Sequence, residues 1–249
     1  MPIVNDLLDF LLPRHCFLCQ RRLTKSEQLV CIDCLSGLPR TNAHLVDGNP
    51  IEKLYWKQLP IERATSFFYY DALIARLAIY NMKYFDHPRV GQRIAEVMTE
   101  EIRGSGFFDG IDLIVPVPLH WKKAAKRGYN QSEYLAKGIS KMTGLPVATN
   151  VVEKIVNNES QTHMTFLERR ENVRDAFRLR HPELIEGKHV LLVDDVITTD
   201  STTMAVGREL ARAAGVRISI LSMCYAGTKF IIPENIRTWE PTDTQQYAD

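Results

Sequence analysis

The stretch HVLLVDDVITTDSTT, residues 189–203, decides the fold that we predict for this chain. A largely apolar run leads into two adjacent acids, and a group of hydroxyl residues follows them. A nearly continuous apolar run of this length is typical of a strand that is buried on both faces of a parallel sheet. The acids and hydroxyls would then lie at the carboxyl end of that strand, where open α/β sheets bind their ligands.

Strands and helices alternate along the rest of the sequence. Apolar runs predict strands over residues 112–119, 151–156, 188–195 and 216–226. Apolar residues at helical spacing predict helices from Leu73 onward and over residues 89–103, 130–144 and 201–215. Two prolines, Pro116 and Pro118, should cut the first of these strands short. This alternation predicts an α/β fold, a parallel sheet with helices on both faces.

Four of the five cysteines form two C-x2-C pairs, Cys16 with Cys19 and Cys31 with Cys34, separated by eleven residues. Each pair can present two thiolates to one metal ion, and two pairs close a tetrahedral sulfur site. We interpret the cluster as structural zinc, with an iron–sulfur centre as the alternative. A pair of disulfides is disfavoured in a chain without an export signal. Because all four ligands are thiolates, the metal would stabilise a small module and would not catalyse.

Composition limits how the chain could bind nucleic acid and argues against a membrane span. The formal net charge of the 249 residues is +1, so any nucleic-acid binding must come from a local patch. No apolar run approaches the roughly 18 residues that span a bilayer. The apolar start of the chain has no basic n-region and no small-residue cleavage site, and we interpret it as a short amphipathic helix. We therefore expect a cytoplasmic protein without membrane insertion.

The predicted domain organisation has four parts. They are an N-terminal helix with the cysteine module, a connector, the α/β domain and a polar tail, over residues 1–45, 46–63, 64–228 and 229–249 respectively.

The end of the strand over residues 188–195 is the first candidate site. Asp194 and Asp195 can accept hydrogen bonds from sugar hydroxyls or hold Mg²⁺ through oxygen. The hydroxyls and backbone amides of the next turn can bind a phosphate, with Thr198, Thr199, Ser201 and Thr202 as the candidates. The same residues suit a turn that merely caps a helix, and the residues alone leave both possibilities open. Asp200 adds a carboxylate where the phosphate would sit.

The second candidate site is the segment WKKAAKRGYNQ, residues 121–131, which mixes cations with Trp121 and Tyr129. Cations interleaved with aromatic rings suit pyrophosphate or a single-stranded nucleic acid. The alternative is a solvated loop whose two rings are anchored in the core. His120, just before it, either donates to pyrophosphate or is an ordinary surface histidine.

The order of residues adds a family resemblance. VLLVDDVITTDST resembles the ribose-phosphate signature of type I phosphoribosyltransferases. DLIVPVPLHWKKAAKRGYNQSEYLAKGI resembles the first strand, pyrophosphate loop and following helix of that fold, as found in the ComF/GntX competence-protein family. ESQTHMTFLERRENVRDAFRL resembles a later segment of the same family, with matches at Gln161, Thr162, Arg169, Asn172, Val173, Arg174 and Phe177. The paired cysteines ahead of such a domain also fit, so the resemblance covers residues 16–225.

This resemblance implies a type I phosphoribosyltransferase-like domain behind a zinc-ribbon-like module with four cysteine ligands. The acids would hold ribose hydroxyls, and the threonine-rich turn would bind the 5′-phosphate of phosphoribosyl pyrophosphate together with Mg²⁺. Further substrate contacts are implied for Lys83, Pro118, His120, Arg127 and Asn130. The family has glycine where this chain has Asp200, whose charge would repel a phosphate by about 1 kcal/mol if solvated. We therefore expect a real but weakened site.

Two functions of different classes remain open. The resemblance implies a protein that binds phosphoribosyl pyrophosphate or a nucleotide-like ligand and supports DNA uptake, with single-stranded DNA and the uptake machinery as partners. The alternative is an active phosphoribosyltransferase that acts on a nucleobase or amine. An enzyme needs a hood over the acceptor, and no segment beyond the cysteine module and the connector is assignable to one. We therefore favour binding, and we assign no catalytic residue.

Overall fold

The computed structural model describes residues 13–84, 87–156, 176–198 and 202–230. Its main sheet has four parallel strands in the order β1, β6, β5, β2. The strands are β1 (Ile61–Tyr69), β2 (Leu113–Pro116), β3 (Val152–Lys154), β4 (Phe177–Leu179), β5 (His189–Ile197) and β6 (Arg217–Tyr225). β3 and β4 pair antiparallel in a separate two-stranded sheet.

Seven α-helices lie within the described residues. They are α1 (Ile32–Ser36), α2 (Pro50–Lys53), α3 (Leu73–Tyr84), α4 (Pro88–Arg103), α5 (Trp121–Arg127), α6 (Gln131–Thr143) and α7 (Thr202–Leu210). Two short 3₁₀ helices, Ala43–Leu45 and Pro182–Leu184, complete the set. A search of these same ranges finds no helix that combines the length and the apolar character needed to cross a membrane.

Helices cover both faces of the main sheet. Along β5, Leu191 and Val193 point to the face packed against α3, α4 and α6, whereas Val190 and Leu192 point to the face packed against α7. All four side chains are fully buried, which explains why the strand needs a continuous apolar run rather than an alternating one. The predicted α/β fold with a parallel sheet and helices on both faces is confirmed.

Residues 46–63, predicted as a connector, pack tightly against the α/β domain. Asn49 caps α2 by accepting hydrogen bonds from two backbone amides, and its own amide donates to Ala64 O in β1 at 3.0 Å. The hydroxyl of the buried Tyr55 lies 2.7 Å from Thr203 Oγ1 in α7. Leu59 lies so close to Gly207 that an added Cβ there would come within 2.5 Å of Leu59 Cδ1. The connector therefore fixes the start of α7.

The segment over residues 121–129, predicted as a loop, is largely the helix α5, so the prediction of a loop is wrong. His120 caps its start by accepting a hydrogen bond from Lys122 N, and Gly128 ends it with a positive φ of 83°. Alanine, lysine and arginine between these caps have high helix propensity. The helix places its cations around a short cylinder instead of along an open loop.

Candidate ligand site and cysteine cluster

Asp194 and Asp195 lie at the carboxyl end of β5, and each is only 5% exposed. Asp194 Oδ1 accepts hydrogen bonds from Ser132 Oγ at 3.0 Å and from the backbone amide of Asp195 at 2.9 Å. Ser132 belongs to the first turn of α6, so this helix fixes the orientation of the first acid.

Two buried carboxyl groups side by side cannot both ionise freely. Burial, and after it the charge of Asp195, raise the pKa of Asp194 to about 7. Asp194 is therefore partly protonated near neutral pH. It can donate as well as accept hydrogen bonds, and a bound cation would draw off its proton.

Lys83, in the last turn of α3, pairs with the second acid. Its Nζ lies 2.7 Å from Asp195 Oδ2, and the two groups are mostly buried. The contact is a close ion pair between two largely buried groups. Burial opposes the charge of Lys83, but the attraction of Asp195 and Asp194 outweighs it and raises the pKa of Lys83. Lys83 thus stays charged beside the predicted ribose site.

Lys154 lies within electrostatic reach of Asp194, and two further cations act on the lysines of the site. The charge of Arg127 acts on Lys83, and Lys154 interacts with both Lys123 and Asp194. Burial and the charge of Lys123 lower the pKa of Lys154, against the opposing effect of Asp194. Sequence reasoning missed Lys154, although a lone lysine in the short apolar strand β3 is a usable signal. Lys83 and Lys154 offset part of the negative charge of the two acids, so that an anionic ligand can approach them.

Three predicted substrate contacts, Pro118, His120 and Asn130, lie between β2 and α6, and two of them cap helices. His120 is buried, and its Nδ1 accepts the hydrogen bond from Lys122 N at 3.3 Å. Asn130 caps α6 by accepting from Ser132 N at 3.1 Å, and it donates to Val117 O at 3.0 Å. Pro118 is half-buried. These residues shape the segment between strand and helix, and their direct contact with a ligand stays a prediction.

The predicted phosphate turn is only partly described. Thr198 is exposed directly after β5, and α7 begins at Thr202. Thr199, Asp200 and Ser201 lie outside the described residues, as do the family-like matches from Gln161 to Arg174. The phosphate cradle and the effect of Asp200 therefore remain predictions.

The four predicted cysteines come together. Their sulfur atoms all lie within 4.8 Å of one another, with Cys16 Sγ to Cys34 Sγ at 3.8 Å and Cys19 Sγ to Cys31 Sγ at 3.6 Å. Zinc–sulfur bonds of about 2.3 Å in a tetrahedron would place the sulfurs about 3.8 Å apart. Backbone amides of Leu18 and Cys31 donate to Cys16 Sγ at 3.4 and 3.3 Å, as suits a thiolate. The cluster can bind a metal ion, as predicted.

Charged side chains hold the cysteine module in place. Glu27 accepts hydrogen bonds from the amides of Thr24 and Ile32 at 2.7 and 2.8 Å, and these bonds lower the pKa of Glu27 to about 2. Arg40 makes a two-bond contact with Glu101 of α4, at 2.8 and 2.7 Å. Arg40 also donates to the carbonyl of Leu35, in the last turn of α1, and to that of Leu38, just after this helix. The module is thereby tied to the α/β domain.

An open parallel sheet with acids at its carboxyl edge, preceded by a cluster of four cysteines that can bind a metal, defines an α/β protein with a candidate metal-binding module. The chain is 27% identical over 212 residues to the DNA utilization protein YhgH of Escherichia coli K12, covering 84% of this chain and 89% of that protein. It is 26% identical over 197 residues to competence protein F of Haemophilus influenzae, covering 79% of this chain and 78% of the relative. These relatives confirm the predicted resemblance to the competence-protein family.

The chain is also similar to a third relative and to one solved structure. The YhgH protein of Salmonella typhimurium is 26% identical over 227 residues, which are 85% of this chain and 97% of that protein. The solved structure of the allosteric regulatory enzyme of purine biosynthesis matches with a TM-score of 0.38 and 21% identity, over 57% of this chain and 29% of the enzyme. No protein-family model matches the chain.

Proposed function

We propose that this chain is a ComF-like protein that binds phosphoribosyl pyrophosphate, or a related phosphorylated ligand, at the carboxyl edge of its sheet. The observation that carries the proposal is the pair Asp194 and Asp195, buried at the end of β5, with Lys83 Nζ 2.7 Å from Asp195 and Lys154 within electrostatic reach of Asp194. Acids for sugar hydroxyls beside cations for phosphate are the two requirements of a ribose-phosphate ligand.

Each group has a proposed role. Asp194 and Asp195 accept hydrogen bonds from the ribose hydroxyls or hold Mg²⁺ through their oxygens. Lys83 holds the side chain of Asp195 in place before the ligand arrives, because the two form a close ion pair. Lys154, Lys123 and Arg127 provide positive charge for the pyrophosphate. The turn that begins at Thr198 would supply hydroxyls and amides to the 5′-phosphate.

The second part of the proposal is single-stranded DNA binding in the service of DNA uptake. The names of the relatives, DNA utilization protein and competence protein, support it. On α5, Trp121 is 66% exposed and Lys122 Nζ lies 5.4 Å from the centre of its ring. Arg127 lies 5.9 Å from the ring of Tyr84, which is equally exposed. Exposed rings next to cations can stack bases while the phosphates are neutralised.

We also propose zinc as the metal of the cysteine cluster, because closed sulfur tetrahedra of paired C-x2-C motifs favour it. The cytoplasm remains the proposed location, since thiols stay reduced there.

Calorimetry with phosphoribosyl pyrophosphate, with and without Mg²⁺, tests the ligand site. We expect binding by the parent protein and at least about tenfold weaker binding by Asp195→Asn, whose amide is a poorer partner for Mg²⁺ and hydroxyls. Asp71→Asn is the control, because Asp71 is exposed and its carboxylate pairs with Lys229, at 2.9 Å, instead of with Lys83. No binding by the parent protein, or equal affinity of both variants, would contradict the proposal.

A second assay separates binding from catalysis. The alternative function, phosphoribosyl transfer to a nucleobase or amine, releases pyrophosphate when an acceptor is present. The parent protein and Asp195→Asn are each incubated with phosphoribosyl pyrophosphate and a set of nucleobases and amines. Faster release of pyrophosphate by the parent protein would favour the enzyme. Tight binding of phosphoribosyl pyrophosphate without this release would favour the binding protein.

A further inference from the structure

A large cavity separates the cysteine module from helices α4 and α6. Its volume is about 720 Å³, and it is lined on one side by residues 14–29 of the module and on the other by side chains of α4 and by Lys141. Pockets for small organic ligands commonly have volumes of about 300–1,000 Å³. The cavity shares no lining residue with the acid pair at the sheet edge, so it is a separate site.

The lining of this cavity is strongly cationic. Four permanent cations, Arg14, Arg89, Arg93 and Lys141, face one carboxylate, Glu96, which leaves a net charge of +3. Glu96 is buried and pairs with Arg93 at 3.1 Å and with Lys141 at 2.9 Å. One acid cannot neutralise this group, so the cavity attracts anions.

Two arginines have donors to offer to an anion. Arg93 Nε is buried and has no hydrogen-bond partner within the described ranges. A buried donor of this kind is unfavourable unless an acceptor reaches it, and a bound anion would provide one. Arg89, four residues earlier on α4, is exposed one helical turn away on the same side of the cavity. Both guanidinium groups suit the oxygens of a phosphate.

The opposite wall is apolar and aromatic. Phe17 is half-buried, with its ring centre 4.1 Å from that of His87, and Leu23 and Leu29 continue the surface. A second cavity of about 310 Å³ shares Phe17, Leu29 and Arg89 with the first. It leads to Gly128, Tyr129 and Tyr134, at the end of the basic helix α5. The two cavities are therefore adjacent, and we call them together the groove.

We infer that this cavity binds a nucleotide unit, with its phosphate at Arg89 and Arg93 and its base against Phe17. The choice of a nucleotide rests on the proposed function, whereas the site itself rests on the cavity, its charge and its aromatic wall. The same chemistry can come from a free nucleotide or from one residue of a DNA strand. A strand would run along the groove from α5 to the cysteine module.

Binding of fluorescently labelled oligothymidylate to the full chain, followed by anisotropy at several salt concentrations, tests the inference. We expect Arg89→Ala to weaken binding about tenfold and to flatten the dependence of log K on log salt by about 0.7, the effect of one lost phosphate contact. Arg103→Ala, at the far end of the same helix and outside the cavity, is the matched control and should change neither quantity. Neither variant should alter the thermal midpoint by much, since both side chains are largely exposed.

A second arm measures binding of thymidine monophosphate by calorimetry. If Arg89→Ala weakens binding of thymidine monophosphate but not of the oligonucleotide, the ligand of the cavity is a free nucleotide. If it weakens binding of the oligonucleotide alone, the ligand is a DNA strand. If Arg89→Ala matches Arg103→Ala with both probes, the inference is overturned. Phosphoribosyl pyrophosphate binding is measured on the same samples, so the sheet-edge proposal can stand or fail independently.

Discussion

Replacing Asp194 by asparagine should change how the stability of the protein depends on pH. Burial and the neighbouring charge of Asp195 raise the pKa of Asp194 from 3.8 to about 7. Between these two values the folded chain holds a proton on Asp194 that the unfolded chain has released. The contribution of Asp194 to stability is therefore fully present below about pH 4 and is lost as the pH rises through 7. A shift of about 3 units, at about 1.4 kcal/mol per unit, corresponds to about 4 kcal/mol.

The assay compares free energies of unfolding in urea at pH values from about 4 to 8.5, without ligand. Other groups titrate in the same range, and His44 acts with the opposite sign because burial lowers its pKa to about 4. The contributions of His44 and of other groups that do not interact with Asp194 are common to both proteins and cancel when Asp194→Asn is subtracted from the parent. We expect this difference to fall by up to about 4 kcal/mol between pH 4 and 8.5. Asp71→Asn, which removes an exposed carboxyl group, is the control.

The shape of the difference curve decides the interpretation. A flat curve would mean that Asp194 is hydrated in the folded chain and titrates as it does when unfolded. A curve that rises with pH would mean that Asp194 is held as a carboxylate by a cation, as in an ordinary ion pair. Either result would refute the burial-driven shift on which the description of this site depends.

Substitutions at the ligand site, the cysteine module and α5 should each have a distinct effect. Lys83→Met should destabilise the protein by about 3 kcal/mol at pH 8 and by less at pH 5, measured by urea unfolding, because it leaves a buried carboxylate without its cation. Cys31→Ser should lower the metal content from one zinc per chain and unfold the cysteine module, as metal analysis and circular dichroism would show. The double variant Lys123→Ala, Lys126→Ala should flatten the salt dependence of oligonucleotide binding by about 0.7 per lost phosphate contact, and an unchanged slope would move the DNA site elsewhere. Asp200→Gly should tighten phosphoribosyl pyrophosphate binding severalfold by calorimetry, and an unchanged affinity would mean that this carboxylate points away from the phosphate.

The regular elements of the α/β domain could be predicted from sequence because local signals agree with the tertiary structure. The helix predicted over residues 130–144 is α6, which begins after its cap Asn130 and ends before Gly144. Capping residues and apolar spacing are local, so one sequence suffices to find them. The run over residues 188–195 became β5 for a similar reason, since only a strand buried on both faces tolerates such an apolar sequence.

Long-range contacts explain what the sequence did not reveal. The hydrogen bond between Tyr55 and Thr203 joins residues 148 positions apart, so no local pattern marks it. The contact between Arg40 and Glu101 is of the same kind. Lys154 was missed because its importance lies in its distance to Asp194, which depends on how β3 packs. The helix α5 was predicted as a loop because the family resemblance outweighed the helix propensity of its own residues.

The acid pair is neutralised in two different ways before any ligand binds. Asp195 is balanced by the ammonium group of Lys83, whereas Asp194 is balanced in part by a proton that its burial retains. Lys154, which interacts with Asp194, then adds positive charge that would attract a polyanion although two acids lie at the centre of the site. Mg²⁺ would displace the proton of Asp194 and recruit its carboxylate only when the ligand is in place. Affinity for a magnesium-bound pyrophosphate should therefore increase as the pH rises through about 7, while affinity for a metal-free phosphate should change much less.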